Sequence, residues 1–252
     1  MPSSYNQKET SKNIQDVTFT SIRHISSSST SSNTSDDSSH STRIYPPEFG
    51  FYTTNLSDLF IALSSKSVYL YYISISSHTS LLSNNNTNKP DITLYTSPHP
   101  KNPIFSPLAS VRFTGPSETP HITLGSPSFG AAPTEKVESE GCFSLTHFFS
   151  LYLPLCGVRE RFEWKVSVGR EVRGLGGRSK GMELVRVRSG RVVAVYVSVN
   201  LAVRKKGKMR VLREDGDGLG REFEMMAVMS LVAILEAQRR ANRSAGSAAV
   251  VL

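Results

Sequence analysis

The segment that most constrains this chain lies near its C-terminus and is apolar on every side. Within residues 225–235, ten of eleven residues are apolar, and Ser230 is the exception. The longer segment 222–240 lacks Gly and Pro and consists mainly of good helix formers. At 100° per residue such a helix has no polar face, so the rest of the fold has to enclose it. Because a bilayer span needs about 20 apolar residues, we predict a buried core helix.

Upstream of this helix, from residue 90 onwards, short apolar runs recur between turn formers. This rhythm is typical of antiparallel β structure. The clearest strand is residues 161–168, where apolar and polar side chains alternate, which places one face in the core and one in water. The apolar face of this predicted strand consists of Phe162, Trp164, Val166 and Val168.

A β-hairpin is predicted next. Val185 and Val187 alternate with Arg186 and Arg188, and a Ser-Gly pair then permits a tight reversal into a second run of alternating valines. This pattern puts the valines in the core and the arginines on the outer face. The stretch 208–211 repeats the alternation of cations with apolar residues.

These elements predict a mainly β protein with one long C-terminal helix, an α+β fold. We expect a closed antiparallel β-barrel around a central hydrophobic helix, because many short strands precede one helix that must be surrounded. The residues expected in its core are Phe162, Trp164, Phe223, Met226, Leu231, Ile234 and Leu235.

The composition divides the chain into four parts. Residues 1–43 are rich in Ser, Thr and Asn and hold little to bury, which predicts a disordered tail. Residues 44–89 form a linker with an apolar stretch at 45–82, which could contribute strands, form an amphipathic anchor or be an unreliable stretch of the gene model. The barrel domain spans residues 90–243, with its helix at 222–240. Residues 244–252 are expected to be a short flexible tail.

Several segments together resemble fungal proteins of the tubby C-terminal-like superfamily. They are RFEW (161–164), ELVRV (183–187), VVAVYV (192–197), the apolar helix and, as a first strand, PDITLY (90–95). This superfamily also includes the LURP-one-related proteins and the phospholipid scramblases. The resemblance implies a closed barrel of about twelve strands threaded by a C-terminal hydrophobic helix. The chain departs from tubby proteins proper after the helix, where basic residues and a short polar tail replace their signature segment.

No motif for catalysis, a cofactor or a metal stands out. The glycine-rich stretch 174–181 lacks the GK[ST] ending of a phosphate-binding loop and leads into a strand. A calcium loop starting at Asp215 would need a carboxylate at its twelfth position, which is Met226. The histidines form no recognisable triad. We therefore expect a protein that is not an enzyme and that needs neither cofactor nor metal.

The cysteines and the N-terminus indicate the compartment. Cys142 and Cys156 have no second pair or histidine cluster beside them, so we expect buried free thiols rather than a zinc site. The first twenty residues contain no apolar run of the length that a secretory signal needs. These observations predict an intracellular, cytoplasmic protein with no transmembrane span, and leave a peripheral membrane or nuclear location open.

The strongest functional signal is electrostatic. Residues 159–213 hold 16 basic residues against 4 acidic ones. Strand faces and a loop rich in cations suit anionic phospholipid headgroups, where each cation contributes about 1 kcal/mol. The candidate residues for anion or lipid binding are Arg186, Arg188, Arg204, Lys205, Lys206, Lys208 and Arg210.

Two alternatives compete with lipid binding. Nucleic acid is disfavoured, because Phe162 and Trp164 are placed in the core and are not free to stack on bases. The other alternative is a structural or adaptor protein that binds another protein, with charges that only solvate the barrel. The sequence does not determine the physiological ligand, the oligomeric state or the role of residues 45–82.

Overall fold

The computed structural model describes most of the chain that follows the Ser-rich segment. The described residues are 43–53, 58–63, 69–76, 89–96, 107–114, 118–125, 133–141, 145–176, 180–199, 204–214 and 216–248. Residues 244–248 are described by their backbone alone. Nearly all of the tail expected at residues 1–43 lies outside them.

The described residues form one antiparallel sheet of thirteen strands. The strands are β1 (Glu48–Thr53), β2 (Leu59–Ala62), β3 (Tyr69–Ile75), β4 (Ile92–Tyr95), β5 (Pro107–Thr114), β6 (Thr119–Leu124), β7 (Thr134–Lys136), β8 (Glu138–Ser139), β9 (His147–Leu153), β10 (Val158–Ser167), β11 (Gly181–Arg186), β12 (Arg191–Ser198) and β13 (Lys205–Val211). Their order across the sheet is β7-β6-β5-β4-β3-β2-β1-β13-β12-β11-β10-β9-β8.

The two edges of this sheet meet in a single short segment. Strand β7 pairs with β6, and β8 pairs with β9, yet only Val137 separates β7 from β8 in sequence. Val137 is buried, and its backbone N–H donates to the carbonyl oxygen of Pro120 at 2.9 Å. The sheet is therefore a nearly closed barrel, which confirms the fold class predicted from the sequence.

The barrel begins earlier in the chain than the sequence suggests. Residues 44–89, expected to be a linker, supply β1, β2 and β3. Strand β1 pairs with both β2 and β13, so it joins the N-terminal and C-terminal halves of the sheet. Its side chains Phe49 and Phe51 are buried in the core. The boundary expected at residue 90 is corrected accordingly, because the short apolar runs before it are strands.

The long helix, α2 (Arg221–Ala248), lies inside the barrel. Every residue from 223 to 234 is buried, as a helix without a polar face requires. Leu235, expected in the core, is only partly buried and packs against it. The helix continues eight residues past 240, so it includes part of the segment 244–252 that was expected to be a tail. In the described part of the chain, no helix combines the length and apolar character that crossing a bilayer requires.

Ser230, the one polar residue in the middle of the helix, has a partner in the barrel wall. Trp164 of β10 is fully buried, and its indole Nε1–H donates to the hydroxyl oxygen of Ser230 at 2.9 Å. The same hydroxyl donates to the carbonyl oxygen of Ala227 at 3.2 Å. A buried indole N–H needs an acceptor, and Ser230 supplies it. The exception in the apolar run thus fixes how the helix sits against β10.

A second, smaller apolar cluster lies on the outer side of the barrel. The short helix α1 (Arg170–Gly174) packs there, and Val172 and Leu175 cover Val195 and Val197 of β12. These valines were expected inside the barrel. The inner face of β12 instead carries Ala194 and Tyr196, which lie opposite Leu184 and Met182 of β11.

The predicted core face of β10 ends earlier than expected. Phe162 and Trp164 are fully buried, whereas Val166 and Val168 are 38% and 59% exposed. Strand β9 pairs with β10 only as far as Trp164, which lies opposite His147. Beyond that point the alternation continues in the sequence, but the barrel no longer covers it.

Candidate functional site

The two ends of the barrel carry charge in different ways. We call the end where α2 begins, around Arg221, the helix-start end. We call the end where α2 leaves the barrel, around Arg239, the helix-exit end. The candidate cations predicted from the sequence are divided between these two ends and the outer face between them, so they do not form one surface.

At the helix-start end, Arg186 is part of a buried ion pair. It lies opposite Phe162 on the face of β11 that packs toward the helix. Its Nη2 donates to Oε1 of Glu160 at 2.6 Å, its Nε donates to Oε2 of the same carboxylate, and its Nη1 donates to the carbonyl oxygen of Asp217 at 2.9 Å. The side chains of Glu160 and Arg186 are 3% and 15% exposed. The expected outward position of Arg186 is thus wrong, because the strand turns this residue toward a buried carboxylate.

The ion pair between Arg186 and Glu160 shifts the pKa of both groups. The hydrogen bond from Arg186 holds the pKa of Glu160 below its ordinary value, against the effect of burial. The same hydrogen bond raises the pKa of Arg186. Both groups are therefore charged at neutral pH, and neither is available to a ligand. Arg188 is 77% exposed and lies 3.9 Å from Glu160 at this same end.

Two further ion pairs lie at the helix-start end. Nη2 of Arg191 lies 2.9 Å from Oδ2 of Asp217. Nη1 of Arg213 lies 2.8 Å from Oε1 of Glu224 in the first turn of α2. The other carboxylate oxygen of Glu224 accepts the backbone N–H groups of Ile44, at 2.8 Å, and Tyr45. The cations here bind the chain to itself.

On the outer face between the ends, Lys208 and Arg210 share one carboxylate. Both project outward from β13, because Met209 between them is buried. Oε2 of Glu48 lies 2.9 Å from Nη2 of Arg210, and Oε1 lies 3.7 Å from Nζ of Lys208. Their charge is therefore partly neutralised, although their orientation matches the prediction.

At the helix-exit end, Arg204 directly precedes β13, and Lys205 and Lys206 begin it. Arg204 and Lys206 are exposed, and Nζ of Lys205 lies 5.4 Å from the ring centroid of Tyr52. The carbonyl oxygen of Arg204 accepts the backbone N–H of Thr53 at 2.8 Å, which fixes this corner to β1. Within the described residues, no ion pair involves these three cations.

A cavity of about 220 Å³ opens beside these cations. Most of its wall is apolar, and we call its three charged lining residues, Lys206, Glu236 and Arg239, the rim. The lining residues are Phe51, Thr53, Leu59, Ile75, Tyr196, Lys206, Val232, Leu235, Glu236 and Arg239. Because Lys206 is exposed and also lines the cavity, the cavity reaches the surface at the start of β13.

A glycine in β13 shapes one wall of this cavity. A Cβ added to Gly207 would lie 2.4 Å from Cε2 of Tyr196, closer than real side chains approach. Glycine therefore allows the Tyr196 ring to lie flat against β13. Burial raises the pKa of Tyr196, so its hydroxyl stays neutral at physiological pH.

The rim of the cavity also contains a buried carboxylate whose charge is neutralised. Glu236 has a side chain only 4% exposed, and its Oε2 and Oε1 lie 2.6 and 2.7 Å from Nε and Nη2 of Arg239. Nε of Arg240 donates to Oε1 at 3.0 Å, and its Nη2 donates to Asp91 at 3.0 Å. Among the lining residues, the cations Lys206 and Arg239 therefore accompany the one carboxylate, that of Glu236.

The described residues offer no candidate metal centre. They contain no cluster of three His, Cys, Asp or Glu side chains that could hold a metal ion. His147 has a buried Nε2 without a hydrogen-bond partner among them, and burial lowers its pKa. Cys156 is exposed rather than buried, because it lies in the turn between β9 and β10. Cys142 lies outside the described residues.

Sequence reasoning missed the cavity and the buried carboxylates Glu160 and Glu236. A signal for Glu160 was present, because it shares the alternating face of Phe162 and Trp164. The cavity left no local signal, because its walls come from β1, β2, β3, β12, β13 and α2.

No family model matches the chain, and comparison with curated proteins and with solved structures finds no match. Membership of the tubby C-terminal-like superfamily stays a prediction from the residues that carry the resemblance.

Proposed function

We propose that this chain is a non-enzymatic binding module that recognises anionic phospholipid at a membrane surface through its helix-exit end. The observation that carries the proposal is that Arg204, Lys205 and Lys206 are adjacent and lack a carboxylate partner among the described residues. Three such cations near a membrane contribute about 3 kcal/mol in total.

The other candidate cations contribute less. Arg186 is committed to Glu160, and Lys208 and Arg210 face Glu48. A cation that already has a carboxylate partner gains less from a phosphate and loses its internal pair. The proposed surface is therefore smaller than the seven residues that the sequence suggested, and it is confined to residues 204–206.

Lipid is favoured over nucleic acid because the aromatic side chains of this region are buried. Tyr52 and Tyr196 pack within the protein, and Phe162 and Trp164 are fully buried. Single-stranded nucleic acid binding draws much of its energy from bases stacked on exposed aromatic rings. Around residues 204–206, the aromatic rings that the structure describes, Tyr52 and Tyr196, are thus not free to stack on bases.

The test is co-sedimentation of the full chain with neutral and with anionic vesicles at low and high salt. We expect binding to anionic vesicles alone, weakened by salt because surface charges are screened beyond about 8 Å at physiological ionic strength. The triple variant Arg204→Glu, Lys205→Glu, Lys206→Glu should lose this binding.

The matched control applies the same charge change to exposed cations elsewhere, in the triple variant Lys165→Glu, Arg170→Glu, Arg173→Glu. It should keep most of the vesicle binding. Equal loss in both variants would mean that only net charge matters, and binding that is insensitive to salt would contradict the proposal.

A protein partner remains the second candidate function, as for an adaptor. It is favoured by apolar side chains exposed at the helix-start end, namely Tyr152, Leu155 and Val187. If no vesicle binds the chain, recovery of partners with the native chain and with Leu155→Asp becomes the deciding comparison.

A further inference from the structure

We infer that the cavity at the helix-exit end binds one apolar chain that carries an anionic head, with the chain among the apolar walls and the head beside Lys206. This inference deepens the proposed function and rests on it, because Lys206 belongs to both sites. The chemistry is shared by two sources: the acyl chain of a membrane lipid and a free fatty acid.

The walls determine the kind of tail. Phe51, Ile75 and Val232 line the cavity and are buried, and Leu59 of β2 and Leu235 of α2 also line it. An apolar cavity gives water few hydrogen-bond partners, so a hydrocarbon segment occupies it more favourably. The tail is therefore apolar and lacks polar groups along its inner part.

The volume of the cavity determines how many carbon atoms of the tail it can hold. A cavity of about 150 Å³ lined by Leu, Ile and Phe holds one benzene molecule. At about 220 Å³, this cavity has room for an apolar segment of about nine carbon atoms by the same scale. One chain of medium length fits, and the two chains of a diacyl lipid do not fit together.

The rim determines the charge of the head. Glu236 is the carboxylate among the lining residues, and both Arg239 and Arg240 hold its oxygens. Lys206 is then the lining cation without an ion pair among the described residues. A carboxylate or phosphate head gains a charge-assisted contact at Lys206, whereas a cationic head meets Lys206 and Arg239 and is repelled.

The experiment is a calorimetric titration of the full chain with three amphiphiles of the same chain length, each below its micelle concentration: decanoate, decanol and decyltrimethylammonium. We expect saturable binding of one decanoate per chain, at least tenfold weaker binding of decanol, and no saturable binding of the cation. Equal affinity for all three, or no saturation with decanoate, would overturn the inference.

Two groups of variants separate the cavity from the surface. Leu59→Trp fills the cavity from β2 and Leu235→Trp fills it from α2, and each should weaken decanoate binding at least tenfold. Leu108→Trp, at a partly buried position of β5 outside the cavity, should not. Melting curves confirm that each variant folds. Undiminished binding in two folded filling variants would contradict the cavity as the site.

The design distinguishes this inference from the proposed function. Decanoate binding without vesicle binding would support the cavity and overturn the membrane surface. Vesicle binding without decanoate binding would support the membrane surface and overturn the cavity as a binding site. If decanoate displaces the protein from anionic vesicles, the natural tail comes from a membrane lipid. If the protein binds decanoate and vesicles at the same time, the natural tail comes from a free fatty acid.

Discussion

Both ends of this barrel carry charged side chains, but the cations at the two ends have different surroundings. At the helix-start end, Arg186, Arg191 and Arg213 each contact a carboxylate that is buried. At the helix-exit end, Arg204, Lys205 and Lys206 lie beside an open cavity and make no ion pair among the described residues.

This difference shows that a count of cations does not locate a binding surface. The sixteen basic residues in 159–213 include cations that hold the fold together and cations that face solvent. Removing one partner of a buried pair leaves an uncompensated charge, which is strongly destabilising. Removing a solvated cation leaves nothing uncompensated, so its effect should be on binding.

The largest expected loss of stability comes from substitutions that prevent α2 from packing in the barrel, because both ends depend on this helix. Leu231→Asp or Ile234→Asp would place a carboxylate without a partner in the fully buried part of α2. We expect the free energy of unfolding to fall by more than about 4 kcal/mol, which is most of the stability of an ordinary domain. Cooperative unfolding should then be abolished. Gln238→Asp, at an exposed position of the same helix, is the control. A variant that melts like the parent would show that the helix is not central.

The next largest effect tests the helix-start end. Glu160→Gln keeps the shape of the side chain but leaves the charge of Arg186 without its carboxylate, so we expect a loss of about 3 kcal/mol at neutral pH. Denaturant unfolding at several pH values measures it. Glu48→Gln is the matched change at a partly exposed pair and should cost at most about 1 kcal/mol.

The pH dependence of this difference has a defined sign. Because the pKa of Glu160 is lowered in the folded state from its ordinary 4.5, its contribution is fully present above that value. It is lost as the pH falls through the folded pKa, when the carboxyl group becomes protonated. The gap in stability between the parent and Glu160→Gln should therefore narrow below pH 4.5. A gap that stays constant into acid would contradict the ion pair.

The smallest expected effect on stability is at the helix-exit end. Arg204→Glu changes an exposed side chain, and surface substitutions of this kind usually alter stability by less than about 0.5 kcal/mol. Unfolding curves of this variant and of Glu160→Gln, recorded together, compare the two ends directly. A loss at Arg204 as large as that at Glu160 would remove the distinction between structural and available cations.

The parts of the fold that could be predicted are those with a strong local pattern. The central helix follows from ten apolar residues among eleven, and the barrel follows from the need to enclose it. Phe162 and Trp164 are buried because they alternate with charged residues along β10. These signals are contained within one element, so the sequence alone carries them.

The parts that could not be predicted depend on contacts between distant elements. The alternation of valine and arginine at 185–188 was assigned to the wrong faces, because Arg186 lies opposite the buried Phe162 on the inward-facing side of β11. Arg186 could then turn toward the helix only because Glu160 is buried next to it. The periodicity of β11 alone does not reveal this pair, although the alternation along β10 places Glu160 on the same face as Phe162 and Trp164.

The candidate site was missed for a related reason. The cavity requires Phe51, Leu59 and Ile75 from a segment expected to be a linker, together with residues of α2 that lie far away in sequence. The cations 204–206 were identified because charge is visible in the sequence. What makes them distinctive is that no carboxylate of the described residues pairs with them, and that depends on the tertiary structure.

The bond between Trp164 and Ser230 gives the molecule an internal optical reporter. Trp164 is the only tryptophan in the chain, and its indole reaches across from the barrel wall to the helix. Its fluorescence therefore reports on one event, the seating of the helix in the barrel, without an attached dye. Whatever moves the helix, whether heat, acid or a bound amphiphile, changes the surroundings of this single chromophore.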